Sequence, residues 1–237
     1  MNKNKIRIII CLVIGVTLIG SCIYGINTRR GWKDDVQLRD YISKPDLKIG
    51  FTDLQEGNVL KEPEEVNTFK SLYDLADVIA RVRVNKNGRR ERYAYCIVSE
   101  AEVMETYKGS VDEKIIDIIE PSEIHYSDRN EVTSVMGYTL MEDDSEYIMF
   151  LFKRPYKGYG KKDVYTPTTA TLSKYKYDTT TDSIKGRAFL IKNMYDGNGF
   201  PYSLYGKYDA ITADENVIDF YNNNVLEINR LLSEGKN

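Results

Sequence analysis

The chain has 237 residues, with 33 Lys and Arg against 36 Asp and Glu and a formal net charge of −3. That balance excludes nucleic acid as the main partner, because phosphate recognition draws on an excess of clustered cations. Nineteen tyrosines against seven phenylalanines and one tryptophan suit half-buried strands and wet surfaces better than a thick core.

The N-terminus has signal grammar: Lys3, Lys5 and Arg7, an apolar run from Ile8 to Ile19, then Gly20, Ser21 and Cys22. The stretch "IGSC", Ile19 to Cys22, resembles the lipobox of bacterial lipoproteins. The resemblance implies cleavage before Cys22 and lipid attachment there, although the motif's usual form has Leu and then Ala, Ser or Thr ahead of Gly or Ala, where this chain has Ile19, Gly20 and Ser21. A second reading extends the apolar run to Ile26, giving nineteen residues that just span a bilayer. Arg29, Arg30 and Lys33 then spoil the positive-inside contrast with the N-terminal cations, so the lipoprotein reading is favoured over the membrane helix. Ordinary secretion is the third reading. All three place the body outside the cytoplasm, and the first two hold it at the extracytoplasmic face of the cell membrane. Cleavage before Cys22 leaves 216 residues with 30 cations against 36 acids.

The expected organisation is therefore a signal peptide or membrane anchor over 1–21, a tether and extended arm over 22–66, and a β-barrel domain with a C-terminal helix over 67–237. In the arm, Leu47, Ile49, Phe51 and Leu54 can pack on the body. Phe69, Leu72, Ala76 and Ile79 recur at helical spacing behind Asn67 or Thr68 as cap. Strand alternation follows, with Val78, Ala80, Val82 and Val84 on one face. "NKNG" predicts a hairpin turn at Asn87 and Gly88, so that a strand from about Arg90 returns antiparallel. The apolar phase along that strand moves from Ala94, Cys96 and Val98 to Ala101 and Val103, which predicts a β-bulge at Ser99 or Glu100. Gly109 supplies the next turn, Lys114–Glu120 the next strand, and "EYIMFLFK", Glu146–Lys153, a central strand buried on both faces. Further strands are expected over Val164–Thr171, Leu172–Tyr177 and Ile184–Lys192. "TADE" reads as a capping box with Thr212 as N-cap and Glu215 at the third position. Ile218, Tyr221, Val225, Ile228 and Leu232 continue that helix to a stop at Gly235, with a bend or break at the asparagines 222–224.

The expected fold is mainly β with flanking helices: a small, bent, mainly antiparallel OB-like barrel. The order "ADVIARVRV", "YCIVSEAEVMETYKG", "KIIDIIE", "EYIMFLFK", from Thr68 to Lys153, resembles an uncharacterised OB-like β-barrel domain of exported proteins in Gram-positive bacteria. The resemblance implies export and a barrel, and carries over no catalytic position.

The chain lacks GxSxG, HExxH, CxxC and a phosphate-binding Gly-rich loop, so no cofactor or metal site is expected. Cys96 is read as a small packed residue and His125 as a surface histidine. "YDGNGF" fails as a calcium loop, since Lys207 stands where the twelfth ligand is needed. "MEDDSEY" offers Glu142, Asp143, Asp144 and Glu146, read as a solvated loop. The distinctive local composition is "KRPYKGYGKK", five cations and no acid. Lys153, Arg154, Lys157, Lys161 and Lys162 are the candidate contacts with an anionic lipid surface, polymer or protein patch. The favoured function is a membrane-anchored extracytoplasmic binding module without enzymatic activity, and the alternative is an exported hydrolase using carboxylates.

Overall fold

The computed structural model describes residues 17, 20–21, 38–53, 66–93, 95–125, 130–154, 163–197 and 199–234. Cys22, Leu54, Lys157, Lys161, Lys162, Asn198 and Gly235 lie outside the described residues, as does the side chain of His125. In chain order the elements are α1 (Leu38–Ile42), β1 (Lys48–Thr52), α2 (Phe69–Leu75), β2 (Val78–Val84), β3 (Arg90–Tyr93), β4 (Cys96–Lys108) and β5 (Ile115–Glu120). There follow β6 (Ser122–His125), β7 (Glu131–Val135), β8 (Glu146–Arg154), β9 (Val164–Pro167), β10 (Lys174–Asp178), β11 (Ser183–Ile184), β12 (Ala188–Leu190), β13 (Phe200–Pro201), α3 (Tyr202–Tyr205), β14 (Ala210–Thr212) and α4 (Glu215–Glu234).

Strands β8, β2, β4, β5 and β9 pair in that order and β9 pairs back to β8, closing a five-stranded barrel. All these pairings are antiparallel except β5 with β9, which run parallel. The fold is thus the expected OB-like barrel carrying a C-terminal helix. Its interior is filled by Val82, Val84, Ala101, Ile118, Met149 and Leu151, all at most 1% exposed. Each of these side chains other than the small Ala101 contributes roughly 1.5–3 kcal/mol of burial. β8 is buried on both faces as its composition predicts: Ile148 and Phe150 turn outward onto Tyr175, Tyr221 and Leu72 under α2 and α4.

Thr68 caps α2 and forms a capping box with Ser71, the two side chains each accepting from the other residue's backbone N–H at 3.0 and 3.1 Å. At α4 the box is displaced. Thr212 is the last residue of β14, and Asp214 precedes the helix and accepts the N–H of Asn216 at 2.8 Å. The helix runs unbroken through the asparagines, because Asn224 is buried and donates to the Tyr175 hydroxyl at 2.8 Å.

The turn expected at Asn87–Gly88 is not the hairpin. Tyr93 pairs with Cys96, so the chain reverses between them, and β2 and β3 both run antiparallel to β4. Val84 faces Ala101 and Arg90 faces Ser99, so residues 85–89 bow out opposite the single residue Glu100. The β4 ladder itself is regular from Ile97 to Glu102 against β5, which overturns the bulge expected at Ser99 or Glu100. The phase change has another cause: Ser99 is a polar side chain fully buried in line with Ile97 and Ala101. The true register shifts leave Met104 and Tyr107 unopposed by β2. They bend the strand toward its far end, as barrel closure needs.

Residues 122–125 and 131–135, where no strand is expected, pair antiparallel as β6 and β7, and β1 from the arm adds to β7 in parallel. Leu38, Tyr41, Leu47 and Ile49 are buried, with Leu38, Tyr41 and Leu47 packing against Ile97, Ile124 and Val132. From Leu38 to Thr52 the arm is therefore part of the body. In place of the strand expected over Ile184–Lys192 are two short pieces, β11 and β12. Gly186 between them leaves room for Tyr221 and Val225 of α4, which a Cβ would strike. Among the described residues no helix is long and apolar enough to cross a membrane.

Candidate functional site

The "MEDDSEY" loop enters β8 beside the bowed segment 85–89, and this position decides the fate of its carboxylates. Asp144 adopts φ 54° and accepts the backbone N–H of Lys86 at 3.0 Å. Asp143 receives Arg39 of α1 at 2.6 Å and Arg90 of β3 at 3.1 Å. Glu142 is clamped by Lys176 at 2.6 Å and Arg187 at 3.0 Å, and Glu146 lies between Arg81 and Arg83 at 3.7 and 3.4 Å. The expectation of a solvated loop is corrected on this point, since each acid in it has a partner distant in sequence.

Beside this loop lies a cleft of about 380 Å³, walled by Asp144, Glu146, Lys176, Asp178, Lys185 and Arg187, with the Tyr177 ring in its lining. Arg81 stacks over that ring at 4.6 Å. Hydrogen bonds from Lys185 and Thr180 hold the Asp178 carboxyl well below its usual range. Burial alone would raise Glu142, but hydrogen bonds and charge from Lys176 and Arg187 outweigh it and lower that carboxyl too. Both shifts run the wrong way for a general acid, which needs a raised carboxyl pKa. The cleft is a self-neutralised cluster of charges.

Two buried groups stand behind it. Asp209, its side chain fully buried, accepts from Arg187 at 2.9 Å and from the Tyr221 hydroxyl at 3.2 Å. Lys174, also fully buried, donates to the backbone oxygen and hydroxyl of Thr139 and lies over the Tyr138 ring at 4.4 Å. Burial pushes its pKa down to about 8. No pattern in "SKYKYD" distinguishes the buried Lys174 from the exposed-face Lys176 two residues on.

The end of the barrel near α1 is closed by polar side chains. Arg90 meets Glu120 at 2.7 Å with both side chains fully buried, and its Nε donates to Ser99 at 2.9 Å. Ser99 also donates to Glu120. The other Glu120 oxygen accepts the Tyr138 hydroxyl at 3.1 Å and the backbone N–H of Met141 at 2.7 Å. Burial opposes the charge of Arg90, yet Glu120 and Asp143 hold its pKa above the usual guanidinium value.

The opposite end carries the basic stretch. Arg154 and Asp163 bracket residues 155–162 there, and Lys153 pairs with Asp112 at 2.9 Å and Asp163 at 3.2 Å. Those hydrogen bonds raise the pKa of the exposed Lys153. Arg154 lies over the Phe152 ring at 4.5 Å. Of the five candidate cations, the described Lys153 and Arg154 lie at this end as successive residues of β8, on its opposite faces.

Cys96 donates its thiol to the Tyr93 carbonyl at 2.9 Å, and burial pushes its pKa up to about 12, the opposite of a reactive cysteine. Among the described residues no three His, Cys, Asp or Glu side chains converge as metal ligands. No family model, curated protein or solved structure matches this chain.

Proposed function

We propose that this chain is a membrane-anchored extracytoplasmic interaction module, lipidated at Cys22, which takes an anionic polymer or an acidic protein partner at the barrel end bracketed by Arg154 and Asp163. The single observation that carries the reading is the filled barrel. With Val82, Ala101, Met149 and Leu151 packed inside it, a ligand must be met on the exterior, and the one strongly basic stretch of an acidic chain leaves the barrel at this end.

The position of that end favours a polymer or protein over the bilayer itself. The described body begins at Leu38, which packs on Ile97 near the start of β4, whereas Lys153 pairs with Asp112 just beyond its end. Thirteen residues of β4 separate the two by up to about 40 Å along the strand. In a chain anchored through its N-terminus the basic end therefore lies at the far side of the barrel from the point where the chain arrives.

Two measurements test the reading. Cys22→Ala should abolish acyl labelling and leave the precursor unprocessed. If the wild type takes up no lipid and keeps its first 21 residues, the anchor is the helix Ile8–Ile26. Charge reversal at Lys157, Lys161 and Lys162 should weaken retention on immobilised polyglutamate at low salt. Retention that is unchanged by reversal would reduce the stretch to a solubility feature.

A further inference from the structure

We propose that the corner of the body built by β13, α3 and β12 rests on the bilayer surface, fixing the orientation of the anchored protein. The inference rests on the membrane-anchored reading above and adds which face meets the lipid.

The corner is aromatic and incompletely covered. Phe189 contacts Tyr205 and Tyr208 with ring centroids 5.5 and 4.6 Å apart, and Phe200 contacts Tyr205 at 5.5 Å and Phe51 at 5.8 Å. These five rings are only partly buried, packed on one side against Ile191, Met194 and Ile211. Leu204, one residue before Tyr205, is 56% exposed. Exposed Lys48, Lys192 and Lys207 flank the rings, and Lys207 lies 5.5 Å from the Tyr208 ring centroid. Rings with one apolar side and one wet side, edged by lysines whose stems can lie along apolar surface, are the composition of a membrane–water interface.

Two observations choose the bilayer over other occupants. Lys48 and Ile49 of β1 pair with Pro201 and Phe200 of β13, and Tyr202 donates its N–H to Leu47 at 2.9 Å, so this corner adjoins the point where the chain arrives from its N-terminus. From Cys22 to Leu38 the chain reaches at most about 55 Å when fully extended, which keeps that point close to the membrane.

The test uses the full chain in vesicles of phosphatidylcholine and phosphatidylglycerol carrying brominated acyl chains, in a Trp32→Phe background. Leu204→Trp places a reporter on the corner and Ser110→Trp places one at the far end. The expected result is flotation of both proteins with the vesicles, with strong quenching of the reporter at 204 and none at 110. Flotation with both reporters unquenched overturns the orientation and leaves the anchor standing. A reporter at 204 that is shielded from water yet unquenched, with concentration-dependent self-association, also overturns it and assigns the corner to a second copy of the chain. Failure to float overturns the anchored reading, and the orientation with it. Tyr205→Ser with Leu204→Ser should leave flotation intact while releasing the body to tumble, read as a fall in the fluorescence anisotropy of the reporter at 110.

Discussion

The two ends of the barrel use the same chemistry under opposite conditions. At the end near α1, Arg90 and Glu120 form a pair with neither side chain exposed, and Ser99, Tyr138, Met141 and Asp143 take up the remaining hydrogen-bonding capacity. At the other end Lys153 bridges Asp112 and Asp163, of which Asp112 is 73% exposed. The distances are similar, 2.7 and 2.9 Å, so geometry does not separate them. Desolvation does: a charge removed from water must be matched completely, whereas one left in water is already solvated and gains little from a partner. Hence the buried pair can specify where the barrel closes, while the exposed pair leaves its lysine available.

The largest expected effect comes from breaking the buried pair. Glu120→Ala would leave the buried Arg90 with Asp143 alone as ion partner and the Tyr138 hydroxyl and Met141 N–H without an acceptor, a loss of about 3–5 kcal/mol. Urea unfolding measures it. The double variant Arg90→Met with Glu120→Leu removes both charges together and should recover the part of that loss owed to the unmatched Arg90, although Tyr138 and Met141 still lack their acceptor. If the double variant is as unstable as the single one, the cost lies in shape and the contrast between the ends fails.

An intermediate effect is expected at Lys174, whose ammonium is buried but satisfied mainly by a neutral carbonyl and hydroxyl. Its pKa of about 8 lies below the unfolded value of about 10.4. Between these values the unfolded chain binds the proton and the folded chain does not, so stability rises with pH through that window. Below pH 8 both states are charged and the folded protein carries the full cost. Relative to Lys174→Met, the wild type should gain on the order of 2–3 kcal/mol from pH 8 to 10. Above pH 10 the buried tyrosines act in the opposite direction: burial raises Tyr138, Tyr147, Tyr175 and Tyr221, so the folded chain holds protons that the unfolded chain has released. Because both proteins contain those tyrosines, the difference between them isolates Lys174. A flat difference across pH 7–10 would show the lysine to be hydrated.

The same contrast explains what could be read in advance. The outward-facing half of the pattern is local: β2 and β8 announce themselves by apolar runs, Thr68 by its place before Phe69, and the turn at Gly109 by a glycine that indeed takes φ 75°. The buried polar end is not local. Arg90, Ser99 and Glu120 each look like solvent-facing residues until strands distant in sequence bring them together, and Ser99 in particular mimicked a change of phase that the ladder does not contain. For the same reason "MEDDSEY" read as a loose acidic loop, since its partners Arg39, Lys176 and Arg187 come from α1, from β10 and from beyond β11. Periodicity reports which way a residue points. It cannot report that a charge pointing inward has been matched.

The smallest effect on stability is expected at the exposed end, and there the same substitution should have its consequence in binding. Asp112→Asn with Asp163→Asn removes both partners of Lys153, whose raised pKa comes first from their hydrogen bonds. Because the lysine remains in water, the unfolding midpoint at 150 mM salt should not move measurably. The end of the barrel, however, becomes more positive by two charges beside the basic stretch. If that stretch meets an anionic polymer, retention of the double variant on polyglutamate should rise at low salt and converge with wild type as salt screens the added field. Tighter retention with an unchanged midpoint would separate binding at this end from the folding role of the other. A lowered midpoint would instead show that Asp112 and Asp163 hold the barrel mouth together, making the two ends alike. Unchanged retention would remove Lys153 from the contact and confine any anionic partner to residues 155–162.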